Sequence, residues 1–460
     1  MDHREALLRR YVDKLKTNAD LSRALVSFQA NKQIPFYRWF KYKEAFSCNL
    51  IKYVLQKFAP NNMKRPRLLD PFAGAGTALN FAAAAGWKTT GIELLPVSGV
   101  MIRARLAADT VSLSAFSHYL QKFERFTFNS LLPKSTFFQH LRITQHAFST
   151  KTERCIAAYQ VFLGKIKNPE VRLLFWFACL SILEEVSYTR KDGQYLRWDS
   201  RCGRKLKSKF NKGHIASFDS AIRQKLTAIW EDLQQRNGGH ISKNIKLIEG
   251  SCLEELPRLT SDSIDLVLTS PPYCNRYDYT RTYALELAFL GYTEEMLKQL
   301  RQTLLSATVE NRSKAIHLSH LYKSRNQNRR YNKALSAFCN QAALQEVLDR
   351  LYEAQKKGEL NNPHIPNLVE HYFFEMNLVI HELARVVAPG GRIVMVNDNV
   401  QYHGEEVPVD LILSDLAVAA GMSVETIWVL PRGKGNSSQQ MGAHGRNELR
   451  KCVYVWSKPE

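Results

Sequence analysis

The chain has 460 residues, a formal net charge of +21 and a pI near 9.6, with 45% hydrophobic and 11% aromatic residues. That composition excludes a mainly disordered chain, and the length exceeds one minimal core, so two or three lobes are expected. A positive field of this size calls for a polyanionic partner, nucleic acid first, and is of little use to an enzyme of small neutral substrates.

Eight cysteines lie scattered at Cys48, Cys155, Cys179, Cys202, Cys252, Cys274, Cys339 and Cys452. They form no CxxC pair and no Cys/His cluster at zinc spacing, so reduced thiols and no metal are expected. The opening residues MDHREALLRRYVDKLK are charged and amphipathic, and no run approaches the roughly eighteen apolar residues of a membrane span. A soluble, cytoplasmic protein without a membrane partner follows as the expectation.

Residues 1 to about 65 read as helical, with Leu7, Leu8, Tyr11, Val12 and Leu15 at helical spacing. Pro35-Phe36-Tyr37-Arg38-Trp39-Phe40 and then Phe46-Ser47-Cys48-Asn49-Leu50-Ile51 lead into a helix ending near Phe58, with Ser47 as its candidate cap. On its own residues this segment is a hydrophobic lid on a core.

Arg67-Leu68-Leu69-Asp70-Pro71-Phe72-Ala73-Gly74-Ala75-Gly76-Thr77 follows, then a small-residue helix from Ala78 to Ala85 closed by Gly86, then Thr89-Thr90-Gly91-Ile92-Glu93. This is strand, glycine-rich turn, helix and strand, with an acid at the second strand's tip. Such glycines let backbone approach a ligand closely, and the terminal carboxylate is placed for ribose hydroxyls. The unit points to a nucleoside-type cofactor.

From about 105 to 240 the pattern is helical and aromatic-rich, and most of those aromatics are core by default. Within it, Tyr188-Thr189-Arg190-Lys191-Asp192-Gly193-Gln194-Tyr195-Leu196-Arg197-Trp198-Asp199 runs on into Arg201, Arg204, Lys205, Lys207, Lys209 and Lys212. Basic residues interleaved with Tyr and Trp suit phosphate contact combined with base stacking, and a solvated charged loop is the alternative.

Ile245 to Cys252 is strand-like, and Ile264-Asp265-Leu266-Val267-Leu268 has the composition of a buried parallel strand. That strand runs straight into Thr269-Ser270-Pro271-Pro272-Tyr273. A hydroxyl, a carbonyl made rigid by two prolines and an aromatic face thus reach the C-terminal edge of a sheet, where open α/β folds place their ligands. The stretch is either a site for a flat polar group or plain strand punctuation.

Cys274-Asn275-Arg276-Tyr277-Asp278-Tyr279-Thr280-Arg281 then mixes polar and aromatic residues before a helix from about Ala284. The region from 294 to 368 is a second helical excursion, and Arg312 to Lys333 carries seven basic residues and no acid. That stretch is a second candidate phosphate-binding surface or a mobile arm. Alternation resumes with a helix near 370 to 387 ending at Pro389-Gly390-Gly391, a strand from Arg392 to Asp398, and a helix from Leu411 to Ala420. Val424 to Leu430 and Cys452 to Trp456 make a terminal antiparallel pair, whose long polar connection at 434 to 445 is expected to reach over the active face.

Taken together, DPFAGAGT followed by IELLP resembles the cofactor motif of S-adenosylmethionine-dependent methyltransferases. TSPPY resembles the catalytic motif of the DNA amino-methyltransferases that modify exocyclic nitrogens, and RWFKYKEAFSCNL resembles the segment preceding their cofactor motif. Neither helical excursion matches a family pattern. The resemblance implies an α/β, Rossmann-like class I methyltransferase sheet, mostly parallel with an antiparallel terminal strand and large helical insertions. The expected division is an N-terminal helical segment at 1–65, catalytic parts at 66–110, 243–300 and 369–460, and helical insertions at 111–242 and 301–368, the former a candidate DNA-recognition region.

By the same resemblance Asp70, Phe72, Gly74, Gly76 and Thr77 would line the methionine and adenosine path, with Phe46 and Ser47 at the methionine end. Glu93 would take the ribose, Ser251 and Cys252 would meet adenine, and Ser270, Pro271, Pro272 and Tyr273 would hold the target base. The candidate nucleic-acid contacts are Arg190, Lys191, Tyr195, Arg197, Trp198, Arg201, Arg276, Tyr277 and Arg281. The implied activity is methyl transfer from S-adenosylmethionine to a base flipped from double-stranded DNA, N4 of cytosine before N6 of adenine, within a restriction or defence system that includes a cognate nuclease. Methylation of RNA or of a glutamine side chain, and an inactive DNA-binding subunit, are the other readings.

Overall fold

The computed structural model describes residues 2–22, 25, 26, 28–59, 65–128, 138–193, 195–206, 209–236, 241–431 and 449–460. Its strands are β1 Leu15–Thr17, β2 Arg67–Asp70, β3 Lys88–Glu93, β4 Thr189–Asp192, β5 Tyr195–Trp198, β6 Ile245–Glu249, β7 Ile264–Thr269, β8 Val387–Asp398, β9 Val400–Tyr402, β10 Glu405–Val407, β11 Ser423–Val429 and β12 Lys451–Ser457. Eight of them form one sheet in the order β1-β11-β12-β8-β7-β2-β3-β6. Within it β12 alone runs antiparallel to its neighbours β8 and β11. The expected Rossmann-like sheet, mostly parallel with an antiparallel terminal strand, is the architecture observed.

Burial on both faces explains why the middles of β2, β7 and β8 are apolar at successive positions. Leu68, Leu266, Leu268, Val394 and Val396 point to one face, where they pack on the helices Cys48–Phe58 and Thr77–Ala84. Leu69, Ile92, Val267, Ile393 and Met395 point to the other and pack on the helices Ile365–Val386 and Val409–Ala420. A strand covered on both faces has no position for a solvated side chain.

The helical region after residue 110 shares a third core with segments on either side of it. Phe116, Tyr159 and Phe175 pack in one cluster with Trp39, Phe40, Val100 and Leu285. Asp232, on the helix Phe218–Gln234, ties this region to the segment before the cofactor motif. Its buried carboxylate accepts from Phe36 N at 2.8 Å, Trp39 Nε1 at 2.7 Å and Arg38 Nη2 at 2.7 Å.

Two expectations change. The N-terminal region is helical over His3–Tyr11 and Cys48–Phe58, but Leu15–Thr17 forms β1, parallel to Ile427–Val429. Backbone groups at the open edge of β11 capture a stretch whose local pattern is helical. The helix expected near 370–387 ends at Val386, but β8 begins at Val387 and takes in Pro389-Gly390-Gly391, five residues before the expected strand start at Arg392. The polar connection at 434–445 lies outside the described residues, as do Gln194 and Lys207. No described helix is long and apolar enough to cross a membrane.

Candidate active site

Strands β3 and β7 flank β2 and run parallel to it, so Asp70, Glu93 and Ser270 arrive at the same sheet edge. Between β2 and the helix Thr77–Ala84 the backbone turns through Gly74 at φ +51° and Gly76 at φ +70°, a region where a side chain is strained. Gly91 serves packing instead: a Cβ there would stand 2.4 Å from Leu79 Cδ1.

Two carboxylates organise this edge. Asp70 Oδ1 accepts from Thr269 Oγ1 at 2.7 Å and from Phe72 N at 3.1 Å, which joins the glycine turn to the strand that carries Ser270. Burial pushes the Asp70 pKa up to about 7. Glu93 accepts from Gly74 N at 2.5 Å and Leu95 N at 2.6 Å, one bond to each oxygen. Its carboxylate opens onto the cavity, yet burial pushes its pKa to about 8.

One cavity of about 260 Å³ brings the two motifs together. Phe46, Phe72, Gly74, Glu93, Ser251 and Cys252 line it, and so do Ser270, Pro271, Pro272 and Tyr273. Ser270 Oγ donates to Tyr273 Oη at 3.4 Å, and the Tyr273 ring has Lys451 Nζ 5.7 Å from its centroid. Cys274 beside the motif is buried, and desolvation raises its thiol pKa, so it is held as a neutral thiol.

Four expected cofactor residues stand behind the wall rather than on it. Asp70 supports the turn from beneath, Gly76 caps the following helix, and Thr77 is that helix's first residue. Ser47 is committed elsewhere: its buried hydroxyl accepts from Leu50 N at 3.1 Å as the helix cap and donates to the Leu25 carbonyl.

The structure adds Tyr42, Lys43, Glu44, Asn275, Tyr279 and Lys451 to the lining. Glu44 accepts from the phenols of Tyr277 and Tyr283, one on each carboxylate oxygen. Tyr42 stacks on Tyr283 with centroids 5.3 Å apart and lies 3.2 Å from where a Cβ of Gly74 would be. Glu44, the one acid in the lid segment at 35–51, was the available signal.

Of the expected nucleic-acid residues, β4 and β5 sort several by alternation. Arg190 and Arg197 face each other on the exposed side, with Tyr195 57% exposed beside them. Lys191 lies on the other side and corrects the expectation of a phosphate contact. It is 3% exposed, its ammonium bonds Glu286 at 2.5 Å and it sits 4.4 Å from the Tyr283 ring centroid. Trp198 is half-buried under the Arg204 guanidinium at 4.1 Å, and Arg201 is held by both oxygens of Asp199 at 2.8 and 2.7 Å. Tyr277 turns its hydroxyl to Glu44, Arg276 sits at φ +65°, and Arg281 is paired with Asp278 at 3.2 Å and Glu310 at 2.7 Å. Arg201 and Arg281 therefore carry much of their charge into intramolecular pairs.

A parallel sheet with one antiparallel strand, a glycine turn and an SPPY edge opening on one cavity define the class, a Rossmann-like methyltransferase. No family model matches the chain. The type II methyltransferase M.AvaI of Nostoc sp. (strain PCC 7120) is 45% identical, covering 99% of this chain and 93% of its own length, and M.AvaI of Anabaena variabilis matches equally. The type II methyltransferase M.BsoBI of Geobacillus stearothermophilus is 36% identical over 98% of this chain and 91% of its own. The chain belongs to the type II methyltransferases.

Proposed function

We propose that this chain methylates double-stranded DNA at a specific site, using S-adenosylmethionine as donor and N4 of a flipped cytosine as acceptor. The observation that carries the reading is the single cavity lined by both Glu93 with the glycine turn and Ser270 to Tyr273. The residues fit the donor: carboxylates of Glu44 and Glu93 suit a sulfonium cation and ribose hydroxyls, Phe46 and Phe72 suit apolar surface, and Gly74 leaves room for close approach. When bound, this donor supplies a methyl group carried on positively charged sulfur.

The chain's own residues then handle the acceptor. An exocyclic amine is a weak nucleophile because its lone pair is delocalised into the ring. Acceptors that take its hydrogens favour pyramidal nitrogen and localise that pair. Ser270 Oγ gives its own hydrogen to Tyr273 Oη and so keeps its lone pairs for the amine, with the Pro271 carbonyl as the second acceptor. The nitrogen forms its bond to carbon as the carbon–sulfur bond breaks, and one amine proton leaves to solvent. A base inside the duplex is out of reach, and the Tyr273 face offers the extruded base a stacking surface. In a restriction system the partner is a nuclease that cuts the unmethylated site.

The test is transfer of labelled methyl from S-adenosylmethionine to duplex DNA, followed by digestion to nucleosides. Label in N4-methyldeoxycytidine supports the reading. Label in N6-methyldeoxyadenosine overturns the base assignment, and label in RNA or protein alone overturns the substrate.

A further inference from the structure

Strands β4 and β5 form a hairpin with two chemically different faces. The inward face carries Thr189, Lys191 and Leu196, all buried, and its Lys191–Glu286 pair lies inside the protein. A buried ion pair costs desolvation, and one that fixes a hairpin root holds the opposite face in a defined orientation. The outward face carries Arg190, Asp192, Tyr195 and Arg197. Arg190 and Arg197 are cross-strand partners, so their side chains leave the same side of the ribbon about 5 Å apart at Cβ.

This ribbon is fastened to the cavity wall. Lys43 and Glu44 both line the cavity. Lys43 Nζ donates to the Lys191 carbonyl at 2.5 Å. The Lys191 ammonium rests on the ring of Tyr283, whose hydroxyl bonds Glu44. The short helix Tyr279–Thr282, which follows the SPPY strand, packs against β5. The exposed arginine pair therefore belongs to the surroundings of the base pocket, not to a remote part of the insertion.

We infer that the outward face of this hairpin grips the duplex beside the flipped nucleotide: Arg190 and Arg197 bind two backbone phosphates and Tyr195 stacks on a base left uncovered by the flip. This rests on the function proposed above. Like-charged arginines directly opposite each other are unfavourable in a free ribbon, and a polyanion between them removes that cost. Arg197 is braced by the Phe210 ring at 4.2 Å and by Asp192 at 3.2 Å, an exposed pair that exchanges readily for phosphate. An aromatic 57% exposed at the end of a basic ribbon suits stacking on a base better than contact with water.

The experiment measures binding of the full chain to a random-sequence duplex across a salt series, because phosphate contacts are independent of sequence. Loss of two phosphate contacts in Arg190→Ala/Arg197→Ala should make the slope of log affinity against log salt shallower by roughly 1.8. Tyr195→Ala should keep the slope on that duplex and lose about tenfold in affinity for a duplex with one abasic nucleotide, whose facing base is left uncovered. An unchanged slope in the double variant overturns the phosphate grip, and unchanged affinity in Tyr195→Ala overturns the stacking role. Wild-type protein that transfers no methyl to duplex DNA would instead overturn the proposed function, a separate readout from the salt slope.

Discussion

Asp70 and Glu93 sit at neighbouring strand tips with pKa values raised to about 7 and about 8 by burial. Both lie above the ordinary carboxylate range, so between roughly pH 4 and pH 8 the folded chain binds more protons than the unfolded one, and ligand-free stability falls as pH rises through that window. A cationic donor in the cavity is favoured by ionised Glu93, which lines it, so its affinity should rise from about pH 7 to about pH 9 and then level off, as titration calorimetry would record. Flat affinity across that range would contradict the assignment of Glu93 to the donor. Asp70→Asn keeps an acceptor for Thr269 and Phe72 but removes the buried charge. We expect a ligand-free melting midpoint raised by a few degrees together with weakened donor binding, and a lowered midpoint would count against the account. Ser270→Ala and Tyr273→Ala act on the acceptor side instead. Each should cut methyl transfer by about a hundredfold or more while donor affinity stays within about twofold.

At the level of elements, Gly91 in β3 allows the helix Thr77–Ala84 to lie against the sheet, with Leu79 Cδ1 2.4 Å from where its Cβ would be. Gly91→Ala should cost about 1–3 kcal/mol in denaturant unfolding and displace the glycine turn, whereas an unchanged midpoint would mean that Leu79 yields freely. The same elements show what a sequence can disclose. Strand β7 was legible because burial on both faces leaves an unbroken apolar run, and the glycine turn was legible because positive φ demands its residue type. Strand β1 was not, since its partner is Ile427–Val429 at the far end of the chain. Lys191 read as a phosphate contact because a lysine in a basic run looks solvated, and only Glu286, 95 residues away, draws it inside. Glu44 escaped notice for the same reason: Tyr277 and Tyr283 lie 233 and 239 residues further on.

For the whole molecule, the helical region after residue 110 shares its core with segments around the cavity. Its aromatic core is continuous with Trp39, Phe40, Val100 and Leu285, so segments flanking the cofactor turn and the SPPY strand depend on it. The net charge of +21 would supply a sequence-independent attraction, while Ser270 to Tyr273, Glu44 and Glu93 line one cavity. On the proposed function, attraction and chemistry fall to different surfaces, and its central claim is that the SPPY edge methylates a cytosine amine in DNA. Expressing the chain and its Ser270→Ala variant in a methylation-free host, and mapping modified bases at single-nucleotide resolution, tests that claim most directly. The account predicts N4-methylcytosine at one fixed sequence with the wild-type chain and none with the variant. N6-methyladenine, an unmodified genome, or modification that persists in Ser270→Ala would contradict it.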